Sequence, residues 1–454
     1  YIYILVILFF ITATGFIVFK YKKEETVKAN TEYGLLERKG QAANTSEWTK
    51  TKTTAETLLG KIKQQPNDVN ALLELTALYV KEARVTGNHV YYDMAAMKYA
   101  DKALKIDSVN FIGLVFKSLI QMSQHHFSDG LATAQKAQRI NPDNAYVYGL
   151  IIDGNVEMGN YKAAVENADI MVSLRPDLNS YSRVSYLREI HGDNKGAIEA
   201  MKMAVDAGAP GDEGAEWARV QLGHLYENIG EMKYAEMHYT ISLDQRPGYP
   251  YALAGMARIA LAQKDYTKAI SLFEQANAEL EDKPFHEDLI ETYRLAGNSQ
   301  KADEMAKTAI EKMSKDAKAS EKDENIGHYS DRELAYAYLN VKNYDKALEH
   351  AMLEYNRRPD NIDVNEAIAW VYYNKGEYDK ALPYLKTALK TNSKNPTLLC
   401  RAGLIYDKTG DKPLAKTTIT KALETNPNIQ QTLKTQSTQV LKNFSANNSQ
   451  GYKG

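Results

Sequence analysis

The sequence contains a single cysteine, Cys400, among 454 residues. One thiol cannot form an internal disulfide, and it cannot supply the paired cysteines of a zinc ribbon. Cys400 lies in a segment with helical periodicity, where a free cysteine commonly packs as a small apolar residue. The composition therefore excludes a disulfide-stabilised fold and a cysteine-based metal site.

The chain also lacks a strong charge of either sign. Lys and Arg together number 56 and Asp and Glu 58, so the formal net charge is −2 at pH 7. We find no clustered stripe of Lys and Arg that would attract a phosphate backbone. Nucleic acid is therefore not an expected partner.

Motifs of catalysis are missing as well. The sequence has no HExxH zinc motif, no GxSxG nucleophile elbow and no glycine-rich phosphate loop. Its nine histidines are spread along the chain. We therefore predict that the protein is not an enzyme, and we expect no cofactor, no metal site and no small-molecule substrate.

What the sequence does contain is a small residue that recurs about every 34 residues. Apolar or small residues follow it at helical spacing, so they share one stripe, and the small residue lets a neighbouring helix approach closely. Several units then end at a proline, such as Pro142 or Pro427, which stops the helix. The recurring small residues are Ala96, Gly130, Ala164, Ala197, Ala235, Ala269, Ala302, Ala347, Ala381 and Ala415.

These units resemble the tetratricopeptide repeat (TPR) family. The fullest matches are Leu222-Gly223 with Tyr226, Ala235, Tyr239 and Pro247, and Gly403 with Tyr406, Gly410, Ala415, Ala422 and Pro427. The resemblance extends from Pro66 to Pro427 and implies an all-α fold, a right-handed TPR-type α-solenoid of about ten helix-turn-helix repeats.

The first residues differ from the repeats. Residues 1–20 begin with an uncharged apolar run up to Phe19, long enough at about 1.5 Å per residue to cross a membrane. We predict one transmembrane helix; the alternative is a cleaved signal peptide, since small residues occur at 13–15. Lys20, Lys22 and Lys23 alone would indicate a cytoplasmic flank. Large domains behind an N-terminal anchor are often exported. The repeats could therefore lie on either side of the membrane, and we favour the extracytoplasmic (periplasmic) side.

The remaining predicted segments follow from the composition and from the position of each residue within the 34-residue repeat. Val85–Tyr92 is predicted to lengthen the turn inside the first repeat, and Ala207–Gly214 is predicted to lengthen a connection between two repeats. The predicted organisation is a polar tether at 21–46, an N-terminal capping helix at 47–66, about seven repeats at 67–313, a charged insert or hinge at 314–328, three repeats at 329–427, a C-terminal capping helix at 428–444 and a disordered tail at 445–454.

The resemblance also implies where a partner binds, because the first helix of each TPR lines the concave groove. Trp, Tyr and Arg commonly carry interface energy, although tyrosines in such helices are often packing residues. The candidate groove residues are Tyr146, Asp153, Arg183, Tyr186, Trp217, Gln221, His224, Tyr251, Arg258, Arg332, Tyr336, Trp370 and Tyr373.

Together these features predict a membrane-anchored scaffold or adaptor. Its groove would hold a partner protein or peptide and support complex assembly or envelope processes. The alternative is a structural spacer or a self-associating array without a peptide ligand.

Overall fold

The computed structural model describes Thr14 and residues 33–280, 285–322 and 328–450. Within these ranges every regular element is helical, and the helices pair into ten antiparallel hairpins. Hairpins 1 to 5 are Val69–Thr86 with His89–Ile106, Phe111–Ser123 with Phe127–Ile140, Ala145–Glu157 with Tyr161–Leu174, Leu178–Ile190 with Asn194–Asp206, and Glu213–Asn228 with Met232–Gln245.

Hairpins 6 to 10 continue the same arrangement. A helix at Ser46–Gln64 precedes the array and one at Gln431–Gln450 follows it. Hairpins 6 to 10 are Pro250–Ala262 with Tyr266–Glu279, His286–Leu295 with Ser299–Lys322, Asp331–Asn340 with Tyr344–Arg357, Ile362–Lys375 with Tyr378–Ala388, and Pro396–Thr409 with Lys412–Thr425.

The predicted period is confirmed. All ten recurring small residues lie in the second helix of their hairpin, and the nine alanines among them are fully buried. Gly130, the tenth, packs against the side chain of Met122. The small side chain sets the distance between neighbouring helices, because any larger group would meet a packed surface.

The turn inside each hairpin needs a left-handed residue. Gly159 (φ 79°) and Gly376 (φ 78°) supply it at no steric cost, whereas Lys264 and Lys342 adopt it with φ near 60° (63° and 58°). A tyrosine then starts the second helix in several hairpins, as Tyr161 does. Local sequence therefore reverses the chain at each repeat.

The ten hairpins wind into a superhelix whose successive turns touch. The turn inside hairpin 2 meets the start of hairpin 8, where the Tyr329 amide donates to the Gln124 carbonyl at 3.2 Å. The turns of hairpins 3, 4 and 5 likewise meet the loops that precede hairpin 9, hairpin 10 and the closing helix. The offset is six hairpins each time. We call this line of contacts the seam.

The segment predicted as a tether is docked where the structure describes it. Arg38, which is buried, pairs with Glu82 and reaches Glu47 at 3.3 Å. The Tyr91 hydroxyl donates to the Gly34 carbonyl at 2.8 Å, and the Leu36 amide donates to Tyr92. Residues 34–38 therefore pack on hairpin 1, where Arg38 satisfies the buried Glu82, and Gly40–Asn44 contacts the Tyr266–Glu279 helix of hairpin 6. The polar segment predicted as a tether is thus docked over these residues.

Three other predicted boundaries differ from the structure. The turn of hairpin 1 is only Gly87 and Asn88, because the additional residues extend both helices. In hairpin 7 the second helix runs to Lys322, so the first part of the insert at 314–328 is helical; residues 323–327 lie outside the described ranges. The closing helix extends to Gln450, past its predicted end and into the tail predicted as disordered.

The predicted anchor at 1–20 lies outside the described residues except for Thr14. Within the described ranges, no helix is both long enough and apolar enough to cross a membrane.

Close packing of the first helices gives a stability prediction. A Cβ at Gly223 would lie 2.4 Å from the ring of Tyr239, which is fully buried between hairpins 5 and 6. We predict that Gly223→Ala lowers the free energy of unfolding by about 1 to 3 kcal/mol through overpacking. Urea unfolding followed by circular dichroism measures it.

The matched control is Gly60→Ala, in the exposed part of the Ser46–Gln64 helix with no atom within 4 Å of the added Cβ. Alanine favours helix there, so we expect stabilisation by up to about 1 kcal/mol. Equal effects of the two substitutions would contradict the packing account.

Candidate functional site: the inner wall of the superhelix

The first helices of the hairpins form the inner wall of the superhelix. Over hairpins 3 to 6 this wall surrounds a cavity of about 620 Å³. Seven of the candidate groove residues line the cavity: Asp153, Arg183, Tyr186, Trp217, Gln221, His224 and Tyr251. Residues that occupy equivalent positions in four different hairpins thus meet at one cavity, as their positions within the repeat predict.

Aromatic side chains face this interior. Tyr186 is 41% exposed although it lies on the inner wall, and Tyr146 nearby is exposed to the same extent. Trp217 is half-buried against the core between hairpins 4 and 5. Tyr251 packs edge-on against the Phe285 ring, with 5.7 Å between centroids. These rings offer apolar faces and polar tips to the cavity.

The charged candidates on this part of the wall are paired with each other. Arg183 donates from Nε and Nη2 to the two carboxylate oxygens of Asp153, at 2.9 and 2.6 Å, and also to the Gly149 carbonyl. Such a two-bond pair fixes both side chains across neighbouring hairpins. Asp153 and Arg183 therefore stabilise the wall in addition to lining the cavity.

A second network surrounds Arg258. Its Nε donates to both oxygens of Glu227, at 2.9 and 3.1 Å, its Nη2 contacts His224, and the Tyr239 hydroxyl donates to Glu227 at 2.7 Å. Burial, together with the adjacent guanidinium, lowers the pKa of His224 to about 3. Burial opposes ionisation of Glu227, yet Arg258 keeps its pKa below the ordinary value. His224 is thus neutral at physiological pH and Glu227 is charged.

A third network connects hairpins 8, 9 and 10. Arg401 donates from Nη1 to Glu366 at 2.9 Å and to the Tyr336 hydroxyl at 3.2 Å. Its guanidinium lies 5.0 Å from the ring centre of Trp370, which stacks on Tyr373 at 4.8 Å. Tyr336, Trp370 and Tyr373 thus belong to a different part of the wall from the cavity residues.

Some groups on the wall keep polar atoms without a partner among the described residues. The Nε atom of Arg332 is buried and makes no hydrogen bond there. Glu291 accepts from Gln430 at 2.8 Å through one oxygen, while its other oxygen is buried and unsatisfied. Burial raises the pKa of Glu291 to about 7, because the charged form loses hydration. Buried polar atoms of this kind are uncommon in folded proteins.

Three groups on the wall were not predicted from the sequence. Arg401 precedes Ala415 by the same offset as Arg183 precedes Ala197, and Glu227 also falls at a groove position of its repeat, so the repeat phase could have found both. The third is the ion pair between Arg84 and Glu213, at 2.8 Å, which joins hairpins 1 and 5 across the interior. No sequence signal indicates it, because it depends on the superhelical winding.

No group of three or more His, Cys, Asp or Glu in the described ranges has a geometry suited to a metal ion. The inner wall offers aromatic faces, paired ions and a few unsatisfied polar atoms.

The raised pKa of Glu291 gives a pH prediction. Between its ordinary pKa of 4.5 and about 7, the folded state binds more protons than the unfolded state, so this group lowers the free energy of unfolding as pH rises. Glu291→Gln removes the titration. We therefore predict that the variant gains stability relative to wild type at pH 8 and that the gain shrinks toward pH 5.

Chemical unfolding at pH 5 and pH 8 measures this difference. Glu349→Gln, on the exposed surface of hairpin 8, serves as the control. A stability difference for Glu291→Gln that stays constant with pH would show that the group is ordinary in the folded state.

Comparison with known proteins agrees with this architecture. Residues 366–428 match the tetratricopeptide repeat family. No curated protein sequence matches the chain. Among solved structures, a thermophilic TPR protein of Thermus thermophilus is 17% identical, with 43% of this chain and 99% of that chain covered and a TM-score of 0.37.

Two further structures illustrate the range of similarity. YrrB, described as a TPR protein with an unusual peptide-binding site, is 18% identical over 40% of this chain and 91% of its own, with a TM-score of 0.28. Human IFIT1, solved as a dimer with PPP-AAAA, is 16% identical over 76% and 79%, with a TM-score of 0.43. At identities of 16–18%, the likeness concerns the fold and says nothing of which ligand this chain binds. Residues 366–428 thus match the tetratricopeptide repeat family, and the described ranges as a whole form an array of helical hairpins.

Proposed function

We propose that this protein is a membrane-anchored scaffold whose inner wall binds an extended segment of a partner polypeptide. One observation carries the proposal: Tyr186, Trp217 and Tyr251, from three successive hairpins, all line the same cavity of about 620 Å³. Aromatic side chains give large contact area with few rotamers to lose, which is why they dominate protein interfaces.

The polar groups between these rings suit a peptide backbone. Gln221 and Asn179 line the cavity and carry amide groups that both donate and accept hydrogen bonds. The strong charges, Arg183 and Asp153, already neutralise each other, so no large net field selects an ion. An extended peptide, with apolar side chains and a regular row of amides, matches this surface.

The membrane part of the proposal rests on the sequence. Residues 1–20 contain an uncharged run long enough to span a bilayer, and they precede the docked segment at 33–44. In this arrangement the repeats lie close to the membrane, on the extracytoplasmic side that we favour.

The alternative is a spacer or self-associating array, and one observation favours it. Arg183, Arg258 and Arg401 are all paired with carboxylates within the wall, so their charges need no ligand. Sedimentation of the detergent-solubilised chain at several concentrations separates the two functions, because a monomer at all concentrations excludes self-association.

Peptide binding is tested with a display library of random peptides selected on the immobilised, detergent-solubilised chain. For a selected peptide, we predict that Tyr186→Ala combined with Trp217→Ala weakens binding at least about tenfold, as expected when interface aromatic anchors are removed. Fluorescence anisotropy of the labelled peptide measures the dissociation constant.

The control is Tyr234→Ala, which removes a 51% exposed tyrosine from a second helix, away from the inner wall. It should bind the peptide as wild type does. Unchanged affinity in the Tyr186 and Trp217 double variant, or failure to select any peptide, would overturn the proposed function.

Membrane attachment is tested separately. We predict that the full chain stays in the membrane pellet after alkaline carbonate extraction, whereas a chain that starts at residue 33 is released to the supernatant. Protease added to intact cells should digest the repeats if they are extracytoplasmic. Recovery of the full chain in the supernatant would contradict the anchor, and protection from protease would contradict the favoured side.

A further inference from the structure

The seam consists of polar and aromatic contacts between loops and turns; at the hairpin 2 end, the Tyr329 ring stacks on His126 with 4.3 Å between centroids. At its centre, Arg358, which is 5% exposed, pairs with Glu157 of hairpin 3 and lies 4.5 Å from the ring centre of Phe127. The Asn361 side chain donates to the Glu157 carbonyl at 3.0 Å, and Tyr161 provides its hydroxyl oxygen to the Ile362 amide at 2.9 Å.

The same pattern continues along the seam on both sides of this centre. Lys390 donates to the Gly159 carbonyl at 3.4 Å, and Asn426 donates to the Glu227 carbonyl at 2.8 Å. Toward the N-terminal end, the Tyr329 amide bonds the Gln124 carbonyl. The seam is therefore one continuous line from hairpin 2 to hairpin 5.

The seam differs in kind from the packing of neighbouring hairpins. Substantial helix-to-helix packing in the described ranges joins hairpins that follow one another in sequence and shares apolar cores. Across the seam, Ile362 is the one apolar side chain in the described ranges that enters such a core, next to Tyr161. Interfaces made of such loop contacts, with little shared apolar core, open more readily than a continuous apolar core.

Two contacts cross the interior of the superhelix, one on each side of the inner wall. Arg84 and Glu213 bridge the interior between hairpins 1 and 5, and both line the cavity. At the other end, Gln430 at the start of the closing helix bonds Glu291 on the inner wall. A polypeptide that reaches Tyr186 and Trp217 through an end must displace these contacts and also present a free terminus.

We propose that the two superhelical turns separate along the seam, and that the inner wall is loaded sideways with an internal segment of a partner chain. The identity of the bound segment rests on the proposed function, whereas the separation of the turns along the seam does not depend on it. The partner class is then an unfolded loop or linker of a larger protein, which needs no free terminus to enter.

Opening is tested without any ligand by hydrogen exchange of the detergent-solubilised full chain. Tyr161→Phe removes the acceptor of the Ile362 amide. If the seam opens as a unit, exchange of the distant Tyr329 amide also accelerates, by about fivefold for the loss of one hydrogen bond. The control Tyr266→Phe changes the same repeat position in hairpin 6, which makes none of the hydrogen bonds that define the seam.

Exchange at the Ala269 amide, in the core of hairpin 6, reports global destabilisation and should not change. Acceleration at Ile362 alone would show a purely local effect and overturn opening of the seam as a unit. Equal acceleration at Tyr329 and Ala269 would show global unfolding and overturn it as well.

Sideways loading is tested with the double variant Asn160→Cys/Lys390→Cys, joined or not joined by a short bis-maleimide. Both positions are exposed and lie on opposite sides of the seam, where Lys390 reaches the carbonyl of Gly159, the residue before Asn160. The native Cys400 is buried, so the two introduced thiols are the accessible ones. The probe is the library-selected peptide, used both free and as the linker between two folded proteins.

We expect the unjoined variant to bind both forms and the joined variant to lose the linker form by at least about tenfold in association rate. If the joined variant binds the linker form as fast as the unjoined one, sideways loading is overturned. If no peptide binds wild type in either form, the proposed function fails, and the exchange experiment alone decides whether the seam opens.

Discussion

Close approach of helices at one small buried residue per hairpin is the constraint on which the structure depends. The nine alanines at this position are fully buried, and each lies where a second helix crosses its neighbours. Since the same small contact recurs, each hairpin adds a similar displacement and rotation to the stack. The superhelix, its inner wall and the seam all follow from that repetition.

Repetition also explains why the inner wall is chemically ordered. A given offset in each first helix faces the interior, so arginines and carboxylates from neighbouring hairpins come within hydrogen-bond distance, as Arg183 with Asp153 and Arg258 with Glu227. Burying these charges is costly unless they pair, and pairing removes them as ligands for a partner. The aromatic residues between them remain available, which is why the proposed binding surface rests on Tyr186 and Trp217.

Much of the candidate site could be predicted because it depends on phase within a repeat. Seven candidates line one cavity, and Arg401 and Glu227 would have been found by the same offsets. The pairing of Arg84 with Glu213, and of Arg358 with Glu157, could not be predicted. These partners are separated by many repeats, and no local pattern encodes the total rotation between them. Residues 33–44 were misjudged for a similar reason: their polar composition favoured a tether, while the buried Glu82 on hairpin 1 provided a partner for Arg38.

The sequence by itself determined the helical hairpins, their period and the face that each first helix turns inward, because these depend on side-chain spacing and turn residues within one repeat. Only the tertiary structure decided that successive superhelical turns touch and enclose the inner wall. Small crossing angles add up over six hairpins, so a slight change at each interface would separate Glu157 from Arg358 without altering any local pattern. Contact between the superhelical turns therefore depends on all the interfaces together, and it cannot be predicted from the sequence of a single repeat.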